Sequence, residues 1–200
     1  MSFMTSESNT ALLVVDVQPT FCEGGSLPVA GGNSVAQKIS YLLSSGHEYD
    51  MIVTTQDWHI DPGGHFHGSP DYIDSWPKHG VAGTAEAELH PALKPVMDQI
   101  TFQVKKGEYD AAYSGFEGAD ERGVSLDELL TSGNITRIET VGLAFDYCVK
   151  ETALDGIKLG YEVIVLKSLT APVSKELANI AEQELRSAGV QISEDSEERK

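Results

Sequence analysis

The sequence predicts an α/β protein: a three-layer αβα sandwich on a mainly parallel six-stranded sheet with helices on both faces. Three observations carry that reading. Short, continuously apolar runs recur along the chain, as strands covered on both faces require. Segments with the 3.6-residue apolar spacing of helices lie between them. The alternation of the two kinds of segment demands crossover connections, hence parallel neighbours and helices on either side. The 200 residues suit one domain, 1–200, with residues 1–9 and 193–200 as frayed polar ends.

The elements follow in order. Ala11–Val17 is an apolar run and the first strand. Val35–Leu43 has helical spacing and stops at Ser45-Gly46. Tyr49–Thr55, Ile100–Val104 and Arg137–Leu143 read as the next three strands. Tyr147–Leu159 reads as a helix closed by Gly160, and Tyr161–Leu166 as the fifth strand. A helix over Lys175–Ser187 and a short strand at Val190–Ile192 complete the pattern. From Asp57 to about Pro95 periodicity is lost and Gly, Pro, His and aromatic residues are frequent. So long a loop, rich in Trp58, Phe66, Tyr72 and Trp76, reads as ordered and functional.

The net charge of −17 argues against nucleic acid or an anionic membrane as partner, since phosphate recognition relies on clustered Lys and Arg. It suits a small-molecule substrate. No apolar stretch approaches the roughly 20 residues needed to span a bilayer. The first residues lack the pattern of a signal peptide, and two cysteines make no disulfide framework, so a reducing, cytoplasmic compartment is expected. The oligomeric state is left open, a homo-oligomer included.

In open parallel sheets ligands bind beyond the carboxyl ends of the strands. Asp16, Asp57, Lys106 and Cys148 all fall at such ends. For Cys148 the bland reading is a buried structural thiol. Its strand–turn–helix context instead places it at a helix mouth, where the dipole and free N–H groups favour a thiolate and an oxyanion. Asp16 closes an apolar strand, where a carboxylate needs a partner or a function. Lys106 is favoured over Lys105 because Gly107 behind it permits close approach, and a lysine beside the thiol can lower its pKa. An acid, a lysine and a thiol can run acyl transfer. Cys22, with no base nearby in sequence, takes a structural role.

His59, His65 and His67 lie within nine residues and His79 follows. Asp57 and His59, two apart, share one side of an extended chain. Singly such histidines cap turns; together with Asp57 they suit one divalent ion, Zn, Mn or Fe.

Five segments carry a family resemblance: 15–27 (VDVQPTFCEGGSL), 56–66 (QDWHIDPGGHF), 76–79 (WPKH), 106–118 (KGEYDAAYSGFEG) and 142–149 (GLAFDYCV). They resemble the nicotinamidase (pyrazinamidase) branch of the isochorismatase-like cysteine hydrolases, and with the element order the likeness covers nearly the whole chain. The resemblance implies Asp16 as general base, Lys106 as catalytic lysine, Cys148 as nucleophile, and Asp57, His59, His65 and His79 as metal ligands, with no counterpart for His67. It implies a substrate pocket walled by Phe21 and Trp76 with Tyr113 nearby. It also implies a cis Leu143–Ala144 peptide that turns the Ala144 N–H, with that of Cys148, toward an oxyanion. The activity implied is hydrolysis of nicotinamide to nicotinate and ammonia through a thioester, with pyrazinamide as a second substrate. Another cysteine amidohydrolase of this fold and a non-catalytic binding protein are the alternatives. Two residues depart from the pattern. Phe145 stands where relatives carry a small Thr, so it either narrows the pocket or packs beneath it, and Gly80 stands where a Cys is frequent.

Overall fold

A computed structural model describes residues 9–194. Six strands form one sheet: β1 (Thr10–Val15), β2 (Met51–Asp57), β3 (Phe102–Lys106), β4 (Arg137–Leu143), β5 (Glu162–Ala171) and β6 (Gln191–Ser193). Their order is β3-β2-β1-β4-β5-β6, with every pair parallel. The helices are α1 (Gly32–Ser44), α2 (Leu126–Ser132), α3 (Lys150–Lys158) and α4 (Lys175–Ser187).

Successive residues of a strand point to opposite faces, so a strand covered on both sides must be apolar throughout. In β1, Leu13 and Val15 pack with Leu126, Leu130, Ala153 and Leu185, from α2, α3 and α4. Leu12 and Val14 turn the other way, onto Val35 and Ile39 of α1 and onto Leu93 and Val96. This is the three-layer arrangement expected.

The differences from the expected elements have physical reasons. Residues Pro91–Gln99 form successive 3-10 turns against α1. Their two prolines and three-residue period hid them at the end of the long loop. Helix α2 lies outside the expected elements, although its signal stands in the sequence. Ser125 and Glu128 form a reciprocal capping box, each side chain bonding the other's backbone N–H. Strand β5 runs past Leu166 to Ala171, because the register shift between Thr140 and Gly142 lets Thr170 and Ala171 pair with Gly142 and Leu143.

Most of the two segments expected to fray lies outside the described residues. At their inner limits the expectation is corrected: the Asn9 carbonyl accepts from the N–H groups of Thr136 and Arg137, Ser193 belongs to β6, and Glu194 pairs with Lys167. No helix among the described residues is long and apolar enough to cross a membrane.

Candidate active site

The strand order reverses between β1 and β4, because the chain leaves β1 for β2 and β3 on one side and returns to β4 on the other. That is where an open sheet leaves a crevice at its carboxyl edge. Four chemical groups from four neighbouring strand ends meet there. Lys106 ends β3, Asp57 ends β2 directly opposite it in register, Asp16 follows β1, and Cys148 follows β4.

Lys106 is the hub. Its ammonium lies 2.9 Å from Asp16 Oδ2, donates to Asp57 Oδ1 and to the Ala112 carbonyl (3.1 Å), and reaches Cys148 Sγ at 3.8 Å. Only 1% of Lys106 is exposed, so this ammonium depends on its carboxylates. Burial pushes its pKa down, but Asp16 and Asp57 outweigh that and hold it well above its ordinary value. Its neighbour Lys105 lies over the Trp58 ring, 3.5 Å from the centroid.

Asp16 leaves the strand with φ of 48°, a left-handed conformation that Asp tolerates better than most residues. Its Oδ1 accepts from Thr55 Oγ1 at 2.6 Å. Burial raises its pKa, with Lys106 opposing, which makes it a carboxylate able to take a proton. Asp57 goes the other way: burial pushes it up, but Lys106 prevails and holds it well below the usual carboxylate range.

Cys148 requires two corrections. It does not open a regular helix but sits in a widened turn, Phe145–Val149, in which the Ala144 carbonyl accepts from the N–H groups of both Tyr147 and Val149. Nor is its thiol acidified. Burial pushes it well above the ordinary range, Lys106 only partly pulling it back, while Asp16 and Asp57 raise it further. A neutral buried thiol can give up its proton only to a neighbouring base, and Asp16 is beside it. The Leu143–Ala144 peptide is cis, as expected.

The imidazoles of His59, His65 and His79 offer ring nitrogens within 4.8 Å of one another, all three residues being buried. Asp57 Oδ2 lies 3.3 Å from His59 Nε2 and 3.5 Å from His79 Nε2. His67 stands apart, exposed, with Nδ1 at the Ser69 carbonyl. Two glycines make room for the cluster. At Gly107 (φ 74°) a Cβ would lie 2.6 Å from His59 Cε1, and at Gly80 (φ 53°) it would lie 2.8 Å from Asp57 Cβ. The departure at Gly80 therefore has a reason in this chain.

An apolar pocket opens between these groups, lined by Phe21, Trp76, Tyr113, Ala144 and Cys148 and by His65 and His79. Phe21, Trp76 and Tyr113, expected around the pocket, lie in its lining together with Ala144. Trp76 Nε1 donates to Tyr113 Oη at 3.0 Å, and Tyr147 packs edge-on to Trp76 at 5.2 Å between ring centroids. Tyr147 also lines the pocket and was not anticipated, though its place beside Cys148 was a signal. Phe145 packs beneath the pocket in the core shared with α2 and α3, so it does not narrow it.

Residues 10–197 match the isochorismatase domain. The chain belongs to the isochorismatase family. Within it the chain is 46% identical to the nicotinamidase/pyrazinamidase of Mycobacterium tuberculosis over 182 residues, 91% of this chain and 97% of that protein. The structure of L. infantum PnC1 in complex with nicotinate is similar at a TM-score of 0.81 and 35% identity, over 93% of this chain and 92% of that one. The pyrazinamidase of Pyrococcus horikoshii in complex with zinc is similar at a TM-score of 0.74 and 32% identity, over 94% and 99% of the two chains.

Proposed function

We propose that this isochorismatase-family enzyme hydrolyses nicotinamide to nicotinate and ammonia through a thioester on Cys148, and accepts pyrazinamide by the same route. One observation carries the reading: an acid–lysine–thiol contact set opens into an aromatic pocket that also exposes buried imidazoles. The thiol and the imidazoles thus face a single flat apolar ligand from two sides. The names of its relatives agree.

The imidazole cluster fits a divalent cation. His59 Nδ1–H donates to the Gly107 carbonyl and His79 Nδ1–H to the Pro77 carbonyl, so each Nε2 presents a lone pair to the anionic Oδ2 of Asp57. Lone pairs facing a carboxylate oxygen repel unless a cation lies among them. His59 Nε2 and His65 Nδ1 are buried without a hydrogen-bond partner among the described residues. Burial, with His79 and His59 nearby, lowers the His65 pKa to about 4 and so keeps it a neutral ligand. His59, His65, His79 and Asp57 would hold zinc, manganese or iron, which supplies a Lewis-acidic anchor for the pyridine nitrogen.

The chain's own residues do the rest. Phe21 and Trp76 sandwich the ring and present the carboxamide carbon to Cys148. Asp16 takes the thiol proton, and Lys106 balances the charge that moves between them. Sγ attacks the carbonyl carbon, and the N–H groups of Ala144 and Cys148 receive the oxyanion, an effect of about 3–4 kcal/mol per donor. Asp16 returns its proton to the departing nitrogen, releasing ammonia and leaving the acyl group on Sγ. It then deprotonates the water that cleaves the thioester, and the thiol is restored. Both cysteines are free, and we place the enzyme in a reducing, cytoplasmic compartment that keeps them so. The test is ammonia release from nicotinamide by purified protein, with trapping of the nicotinoyl–Cys148 thioester by acid quench and mass spectrometry. Release of no ammonia by zinc-loaded protein refutes the reading.

A further inference from the structure

We propose that Gln18 is the positioning residue that holds Asp57, and with it the imidazole cluster, separately from the thiol chemistry; this rests on the function proposed above.

The pairing of β1 with β2 ends at Val15 and Thr55. The left-handed turn at Asp16 then takes the chain away from the sheet. Strand β2 continues two residues further, to Asp57, supported by β3 on its other side. In a parallel sheet the N–H and C=O of one residue point to the same neighbouring strand. Those of Asp57 point to the side that β1 has just vacated, in a part of the molecule sealed from water.

The Gln18 side chain fills that gap as a substitute peptide. Asp57 N–H donates to Gln18 Oε1 at 2.9 Å, and Gln18 Nε2 donates to the Asp57 carbonyl at 3.0 Å. The second amide hydrogen of Nε2 goes to the Ala87 carbonyl at 2.8 Å. Gln18 is fully buried and uses both donors and its acceptor. The side chain makes no hydrogen bond to the Asp16 carboxylate, Lys106 or Cys148 among the described residues. Asp16 is held instead by Thr55 and Lys106.

Two separate anchoring systems therefore meet at Lys106. Thr55 fixes the base beside the thiol, and Gln18 fixes the backbone that carries the Asp57 carboxylate beside the imidazoles. Gln56 makes a useful contrast. It too is buried and donates to the Ala87 carbonyl, at 2.8 Å, but among the described residues its side chain makes no hydrogen bond to Asp57.

The experiment measures zinc affinity of metal-stripped protein by competition with a chromophoric chelator. It also measures the rate at which iodoacetamide alkylates Cys148 in the same metal-stripped protein, read on the Cys148 peptide by mass spectrometry. Outer-shell groups around metal ligands are typically worth 10–100-fold in affinity, so Gln18→Leu is expected to weaken zinc binding about tenfold or more. Alkylation is expected to stay within about threefold, because the Gln18 side chain bonds only to the Asp57 backbone and the Ala87 carbonyl, and to none of Cys148, Lys106 and the Asp16 carboxylate. In zinc-loaded enzyme KM for nicotinamide rises more than kcat falls. Gln56→Leu is expected to leave zinc affinity nearly unchanged. Unchanged affinity in Gln18→Leu, an equal loss in Gln56→Leu, or alkylation slowed as much as zinc binding each overturns the inference. Should Gln18→Leu fail to fold, Gln18→Glu is read the same way: it still accepts from Asp57 N–H but sets its other oxygen against two carbonyls. Wild-type protein that neither binds zinc nor releases ammonia removes the proposed function along with this inference. Wild-type protein that does both, with unchanged Gln18 variants, removes this inference alone.

Discussion

The surroundings of Cys22 and Cys148 differ in what burial leaves beside a thiol. Both side chains are nearly inaccessible, at 1% and 8% exposure, and burial pushes both thiols up in pKa, that of Cys22 to about 12. Cys22 packs into the layer formed by α1, with its sulfur close to Gly32, where even a Cβ would come within 3.1 Å. The charged group that acts on it is Glu23, which raises its pKa further. Cys148 has Lys106 at 3.8 Å and a base, Asp16, held by the same ammonium. Burial alone makes a thiol an inert apolar group. A cation and a proton acceptor buried with it give the proposed nucleophile a partner for its proton and its charge.

The comparison breaks most sharply by substitution of the two cysteines. Cys148→Ala is expected to lower kcat for nicotinamide by on the order of 10⁴ or more. Equal losses in Cys148→Ala and Cys22→Ala would erase the distinction. Next in size are the two groups that only Cys148 has. Asp16→Asn and Lys106→Ala should each lower kcat by about 10²–10⁴, and the double variant far less than the product of the two, since they act as one unit. Multiplying effects in steady-state kinetics would show that they act independently.

The imidazole cluster sharpens the comparison from the substrate side. Benzamide lacks a ring nitrogen, and isonicotinamide carries it where it cannot reach cluster and thiol together. Both should be hydrolysed about 10² or more slowly than nicotinamide or pyrazinamide, because positioning is lost. Chelation should abolish nicotinamide turnover and added divalent ion restore it. His79→Ala should slow nicotinamide strongly and benzamide little further. Comparable benzamide and nicotinamide rates in metal-stripped protein would return the histidines to a structural role.

Two smaller effects complete the series. Cys22→Ala should keep turnover within about twofold while lowering stability by about 1 kcal/mol, the size expected for a small buried group; thermal melts and assays separate the two. The pH dependence of metal-free stability reads His65. Its pKa is about 4 in the fold against an ordinary 6.5. The unfolded chain binds the extra proton between those values, so stability is full above about 6.5 and falls as pH drops toward about 4. His65→Gln should flatten that part of a melting-temperature profile, and an unchanged slope would assign it elsewhere.

The sequence by itself determined the αβα architecture, because apolar runs such as Leu12–Val15 can be buried on both faces only in a covered parallel sheet. It also determined which strand ends carry Asp16, Asp57, Lys106 and Cys148, and that aromatic and imidazole groups fill the long loop, since each is tied to a local pattern. The tertiary structure decided the rest, because it depends on what non-neighbouring segments bring to one point. The thiol is neutral rather than acidified because desolvation outweighs a lysine already engaged by two carboxylates. Tyr147 reaches the pocket wall through the widened turn, and Phe145, two residues earlier, faces the core. Gln18 meets Asp57 only because β1 ends two residues before β2, a mismatch of strand lengths that no local pattern records.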